Sequence, residues 1–463
     1  MTPRRRIACS ALHALALFRT LALSLFHTVL IPLHMTSTPS ILSELRARGL
    51  LEQVSDEEAL ERVLAAPPAS VYIGFDPTAD SLHVGSLLPI LLLARLQRAG
   101  HRPIVLVGGA TGMVGDPSGR SSERQLLTLE TLAANVESVR RQLSRFVSFD
   151  GPNAAIMANN ADWTQPVSYL EWLRDVGKHF TVNYMMAKES VRRRLEDREQ
   201  GISYTEFSYM LLQANDFARL FDLHRCTIQA GGSDQWGNIT AGIDLVRKTR
   251  RAEVYGFTHP LLSTAGGEKF GKSAGNAVWL DAKQTSPYQF YQFWVQTEDN
   301  DVERYLKLFT FESLETIAEV AAAHAGHPER REAQKLLAAR MTEIVHGKEG
   351  LEEAVRASEA LFGKELSGLS DQELAAIFAE VPSVAMERSA LAEGLRLTQI
   401  LIAAGACGSR GEANRLIQGG GVYLNNRRIA ADGPVTEADL ASKSMLVLRT
   451  GKKSYYLVRF SSL

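Results

Sequence analysis

The stretch "SVYIGFDPTADSLHVGSLLPI", Ser70 to Ile90, decides the fold. Val71, Ile73 and Phe75 alternate with their neighbours as a strand does. After a polar turn, Val84 to Ala99 reads as an apolar helix ended by Gly100. "RPIVLVGG", Arg102 to Gly109, is then a short, mostly apolar run of the kind a buried parallel strand requires. Strand, turn, helix and strand open a βαβ unit. Further runs at "AAIMAN" and "CTIQAGG" alternate with helical stretches around Tyr169 to Leu173, Thr205 to Phe221 and Gln235 to Arg250. The expected fold class is α/β, a Rossmann-like doubly wound parallel sheet, with ligands at the carboxyl ends of its strands.

The chain has 463 residues, 45% of them hydrophobic, and a net charge of -1, enough for more than one core. Cys9, Cys226 and Cys407 lie far apart, which speaks against a disulfide frame or a structural zinc site, so no metal centre is expected. The expected organisation is an α/β domain over 35–285, an α-helical domain over 286–365, a linker over 366–394 and a small α+β module over 395–463. That last module carries ten basic side chains against four acidic ones, which implies a polyanionic partner.

Residues 1–34 differ from the rest. Arg4, Arg5 and Arg6 precede an apolar run broken by His13, Arg19 and His27. A signal peptide, an organellar transit segment and an untranslated stretch before a start at Met35 all fit this pattern. The last is the reading preferred, with a soluble, cytoplasmic protein and no membrane partner.

Thr78, His83, Gly85 and Ser86 cluster at the strand-to-helix turn, where Gly85 lets a planar ring approach the backbone and the helix amides favour negative charge. A nucleotide suits that mouth. A lone histidine there is more often a cap or a core residue, but "HVGS" resembles the HIGH motif of class I aminoacyl-tRNA synthetases. "KFGKS", Lys269 to Ser273, resembles their KMSKS loop, and a full α/β domain separates the two. "YIGFDPTADSLH", "FTVNYMMAKESV", "SYTEFSYMLLQANDF" and "GGSDQWGN" resemble the bacterial tyrosyl-tRNA synthetases in particular, and the likeness runs from about Ile41 to Leu463.

That resemblance implies activation of L-tyrosine by ATP and transfer to the 3′ end of tRNA(Tyr). It implies that His83 and Thr78 meet the phosphates while Lys269, Lys272 and Ser273 close over the leaving pyrophosphate. Arg120 and Arg124 are further phosphate contacts. Asp116, in a glycine-rich run that fits neither common nucleotide fingerprint, is implied as the ligand of the substrate ammonium. Tyr72 and Asp216 would choose the amino acid through its phenol, with Tyr209, Gln213 and Gln229 at its amino and carboxylate end. Tyr209, Gln213 and Asp216 share a helix face, interleaved with apolar residues, so that helix should be buried with its polar face on a pocket.

ATP is expected along Gly74, Asp76, Gly85, Ser86, Gly232, Asp234, Gln235 and Lys272. An N-cap role for Asp234 is a competing possibility. Magnesium would arrive with the nucleotide, and no prosthetic group is implied. "TQILIAAGACGSRGEANRLIQGGGVYLNNRRI" resembles a small RNA-binding module, with Arg410, Arg415, Arg427 and Arg428 as phosphate contacts. A homodimer with "GKHFTVNYMM" at its interface is also implied. The competing readings are a tryptophan-specific relative, a small-molecule nucleotidyltransferase and a non-catalytic RNA-binding homologue. One departure stands out: Ser86 occupies the place of the second motif histidine, followed by Pro89.

Overall fold

The computed structural model describes residues 40–118, 127–196, 201–262, 270–273, 276–361, 366, 369–378, 381–451 and 454–461. The extension 1–34 lies outside them.

A six-stranded sheet forms from β1 (Gln53–Val54), β2 (Ser70–Phe75), β3 (Arg102–Val107), β4 (Ile156–Asn159), β5 (Ile228–Gly232) and β6 (Tyr255–His259). The spatial order is β1-β6-β5-β2-β3-β4, with every pairing parallel except that of β1 on β6. Crossovers run outward from β2 to β3 and β4 on one side and from β5 to β6 on the other. The connections therefore diverge between β2 and β5, and a crevice opens at their carboxyl ends.

Alternation along the strands divides the core in two. Val71, Ile73, Val105 and Val107 face one cluster, shared with helix α1 (Leu87–Arg98), while Tyr72, Ile104 and Leu106 face another with α2 (Tyr204–His224) and α3 (Trp236–Arg250). The helix expected from Val84 begins instead as a 3-10 turn, Val84–Ser86, and becomes α-helical at Leu87. The His83 Nδ1 accepts from the Gly85 N–H at 3.0 Å and tightens that first turn. Pro89 is then the third α-helical residue, where its missing N–H breaks no intrahelical bond.

A short hairpin, β7 (Lys272–Ser273) and β8 (Asn276–Ala277), precedes a helical region of α4 (Pro287–Val295), α5 (Asp299–Phe309), α6 (Leu314–Gly326) and α7 (Glu332–Leu361), the last kinked at Gly347 with φ 76°. This region shares the first core cluster with the sheet, through Phe290, Trp294, Phe309 and Leu337.

The terminal sheet has the order β11-β10-β12-β13-β9, where β9 is Ser383–Glu387, β10 Val422–Leu424, β11 Arg427–Arg428, β12 Met445–Thr450 and β13 Ser454–Ser461. Here the structure differs from the expected linker over 366–394. β9 is a parallel edge strand on β13, and Leu366, Leu369, Leu374 and Phe378 are buried against Met445, Val447 and Leu457. The segment reads as a tether because its apolar residues pack on strands some seventy positions away, which leaves little local periodicity.

Candidate active site

The crevice is a cleft of about 340 Å³ lined by residues from β2, β5, α2 and the turns that follow the strands. It brings together Tyr72, Gly74, Asp76, Thr78, Gly85, Ser86, Asp116, Tyr209, Gln213, Asp216, Gln229, Gly232, Asp234 and Gln235. These residues are spread over more than 160 positions, and the sheet's switch point gathers them.

At the deep end, the Tyr72 ring is 1% exposed and packs edge-on to Phe217 with centroids 5.3 Å apart. Its hydroxyl is buried and has no hydrogen-bond partner among the described residues. Burial, with Asp216 and Cys226 nearby, pushes its pKa well up, so the phenol stays neutral. The Asp216 carboxylate accepts from Asn160 Nδ2 and from the Trp163 indole N–H, each at 2.9 Å. Burial raises the Asp216 pKa to about 7, against the downward pull of those two donors.

Halfway along, Asp76 accepts from the Tyr209 hydroxyl at 3.0 Å and the Thr111 hydroxyl at 2.7 Å. Asp76 is expected along ATP; the bond from Tyr209 makes it a brace for α2. Asn160 donates to Thr111 at 3.0 Å, which links this brace to Asp216. Asp116 accepts from Gln235 Nε2 at 2.6 Å and from the Ser118 N–H at 2.9 Å. The Gln229 side-chain oxygen is buried without a partner among the described residues.

At the outer end, Thr78 and Gly74 are exposed in the cleft and Ser86 is half-buried. The absent side chain at Gly85 has a second cause beyond ligand approach: a Cβ there would lie 2.7 Å from the His83 ring. His83 itself is exposed and does not line the cleft; its ring packs edge-on to Trp279 at 6.1 Å. Asp234 is not the N-cap of α3, since Gln235 holds that position without a side-chain bond.

The two signature motifs meet. The Val84 N–H donates to the Val278 carbonyl at 2.9 Å and the Leu280 N–H to the Leu82 carbonyl at 2.8 Å. A Cβ on Gly271, whose φ is 94°, would press on Val84 at 3.0 Å. Phe270 is buried between Tyr305, Phe309 and Trp294 and moors the motif to the helical region. Lys272 and Ser273 contribute backbone to β7, while Lys269, Arg120 and Arg124 lie outside the described residues. In the terminal module Arg410, Arg415, Arg427 and Arg428 are all exposed. Among the described residues no cluster of metal-ligating side chains occurs.

Asn160, Trp163, Thr111 and His259 also serve this site, and sequence reasoning missed them. The available signal was position: Asn160 and Trp163 directly follow β4, and His259 ends β6, where a doubly wound sheet presents side chains to ligands.

Residues 65–363 match a family model described as tRNA synthetases class I (W and Y), and 373–458 match a tyrosine-tRNA ligase SYY-like C-terminal domain. The tyrosine-tRNA ligase of Roseiflexus castenholzii is 52% identical over 423 residues, covering 91% of this chain and 99% of that protein. That of Geobacillus stearothermophilus is 49% identical over 424 residues, covering 91% and 100%. Among solved structures, a C-terminally truncated mitochondrial tyrosyl-tRNA synthetase of Aspergillus nidulans superposes with a TM-score of 0.64 at 34% identity, covering 70% of this chain and 94% of that one. With matches this long on both sides of residue 365, the chain belongs to the class I tyrosyl-tRNA synthetase family.

Proposed function

We propose that the cleft activates L-tyrosine with ATP and that the product is passed to tRNA(Tyr), as the family assignment calls for. A tyrosine carboxylate oxygen attacks the α-phosphorus in line. The bond from that phosphorus to the bridging oxygen breaks, and pyrophosphate leaves with its electron pair. A hydroxyl of the terminal adenosine of tRNA then attacks the acyl carbon and AMP departs. Neither step needs a side-chain nucleophile; both need positioning and charge stabilisation.

The observation that carries the reading is the unpartnered Tyr72 hydroxyl beside the braced Asp216 at the bottom of the cleft. A substrate phenol satisfies both: it accepts from Tyr72 and donates to the Asp216 carboxylate. Phenylalanine leaves the Tyr72 hydroxyl unsatisfied, at about 1–3 kcal/mol, and the Asp216 carboxylate without the donor that a phenol would add to its two protein partners. Asp116, Tyr209, Gln213 and Gln229 hold the ammonium and carboxylate. Thr78, Ser86 and the HVGS backbone face the phosphates, with magnesium carried by the nucleotide. His83 reaches the phosphates from the rim, and Lys269, Lys272, Ser273, Arg120 and Arg124 act from the loops around it.

A homodimer is part of this reading. Val182 is 59% exposed, and Leu170, Tyr204 and Met186 are also exposed large apolar side chains of the same α/β half, a surface that a second copy would cover. The exposed arginines of the terminal module suit the tRNA phosphates. No helix of the described residues is long and apolar enough to cross a membrane. The cytoplasm is the compartment proposed, on the kinship with bacterial tyrosine-tRNA ligases.

Pyrophosphate exchange into ATP, run with tyrosine, tryptophan and phenylalanine side by side, tests the proposal. Exchange should depend on tyrosine alone. RNA binding with no exchange would favour the non-catalytic homologue, and tryptophan-dependent exchange the other branch of the family.

A further inference from the structure

We propose that His259 is a nucleoside-binding residue whose Nε2 accepts a hydrogen bond from the ribose cis-diol of ATP. The inference rests on the placement of ATP given above.

His259 ends β6, is 6% exposed and lines the cleft. Its Nδ1 lies 3.0 Å from the Pro260 carbonyl oxygen. A carbonyl only accepts, so Nδ1 carries the proton. Burial lowers the imidazole pKa, which keeps the ring neutral, and the other nitrogen is then a bare lone pair. That Nε2 is buried and has no partner among the described residues. A buried acceptor left without a donor is destabilising, and a ligand's donor offsets that.

The neighbours say which donor. His259 pairs in register with Gly232 on β5. A Cβ on Gly232 would lie 3.7 Å from His259 Cε1 and 2.6 Å from an Asp234 carboxylate oxygen. The bare glycine is thus a cradle flanked by two side chains with an acceptor to offer, the Asp234 carboxylate and the His259 Nε2. Ribose offers two adjacent hydroxyl donors to such a pair. Adenine offers a single exocyclic amine.

The test uses the full chain with His259→Leu, which removes the acceptor, and His259→Gln, which returns a polar amide near the Nε2 position. Tyrosine-dependent exchange is measured with ATP, 2′-deoxy-ATP, 3′-deoxy-ATP and the purine riboside triphosphate that lacks the 6-amino group. For His259→Leu the KM for ATP should rise about tenfold with the KM for tyrosine unchanged, as loss of one buried hydrogen bond requires. His259→Gln should recover most of it, and the penalty should vanish with one of the two deoxy nucleotides.

An unchanged KM for ATP overturns the proposal, as does a penalty of equal size with all four nucleotides. A penalty that vanishes only with the purine analogue moves the contact to the base and overturns the ribose assignment. If wild-type protein shows no tyrosine-dependent exchange, it is the functional reading that fails. Calorimetric titration with adenosine then still decides on His259, since equal affinity for wild type and His259→Leu refutes the contact.

Discussion

A carboxyl raised to about neutrality makes Asp216, the specificity residue proposed above, a pH-dependent one. Asp216 is raised from its ordinary 3.8 to about 7, chiefly by burial. A carboxyl raised on folding contributes its full stability below its unfolded pKa and loses it as pH climbs through the folded one. The unliganded protein should therefore become less stable between about pH 4 and 7, by up to a few kcal/mol from this group. Asp216→Asn should flatten that decline in chemical denaturation measured at several pH values. Tyrosine binding carries the opposite slope, because the ionised carboxylate is the better acceptor for the phenol. Calorimetry should show wild-type affinity for tyrosine rising from pH 6 to 8, with Asp216→Asn weaker and level. A level wild-type profile would mean that the neutral acid, not the carboxylate, meets the substrate.

Two arginines join secondary elements that are remote in the chain. Arg48 donates to the carbonyls of Lys307 at 3.3 Å and Glu312 at 2.7 Å, and Arg95 on α1 donates to the Thr310 carbonyl at 2.6 Å. Both also hold Glu44. The Lys307 carbonyl in the last turn of α5 and that of its C-cap Thr310 have no intrahelical partners, and the cations satisfy them at the negative end of the helix dipole, while Glu312 lies in the link to α6. Arg95 is 5% exposed, and burial lowers its pKa to about 10, so it remains charged at neutral pH. Arg95→Ala leaves Thr310 and Glu44 without this donor, and should cost about 3 kcal/mol. The denaturation midpoint should fall accordingly, with tyrosine binding preserved in the fraction still folded. A midpoint unchanged from wild type would show the contact to be replaceable by water. This bracing was illegible in the sequence, since the arginines lie in ordinary helical stretches and their partners are backbone atoms more than 200 residues away.

For the whole molecule, the boundary of the terminal module decides how it can be removed. Deletion from Leu395 would strand β9 without β13 and expose Leu366, Leu374 and Phe378. Truncation after residue 361 removes the module with its own edge strand and helix. The shorter protein should retain tyrosine-dependent exchange within about twofold and lose at least tenfold in tRNA charging, since phosphate contacts supply much of RNA affinity. The version ending at 394 should be the less soluble of the two in sedimentation, an unpaired strand and apolar face being aggregation sites. Equal losses in exchange and charging would make the module a folding element.

Much of the α/β half was legible, because strands such as Ser70–Phe75 and the turn after them carry period and chemistry locally. The paired roles of Tyr72 and Asp216 came from resemblance. The bonds from Asn160 and Trp163 to Asp216, and the docking of β9, depend on contacts that local pattern does not encode.

The pairing of Leu82 and Val84 with Leu280 and Val278 sets rules for how much the chain can vary in length. Residues added between β7 and β8 lie ahead of Val278 and leave both anchors in register. A single residue added between Val278 and Leu280 slides Trp279 off His83 and shifts one motif against the other. Length variation is thus cheap on one side of Val278 and ruinous on the other. Phe270, moored among the aromatics of α4 and α5, fixes the opposite end of the tolerant interval.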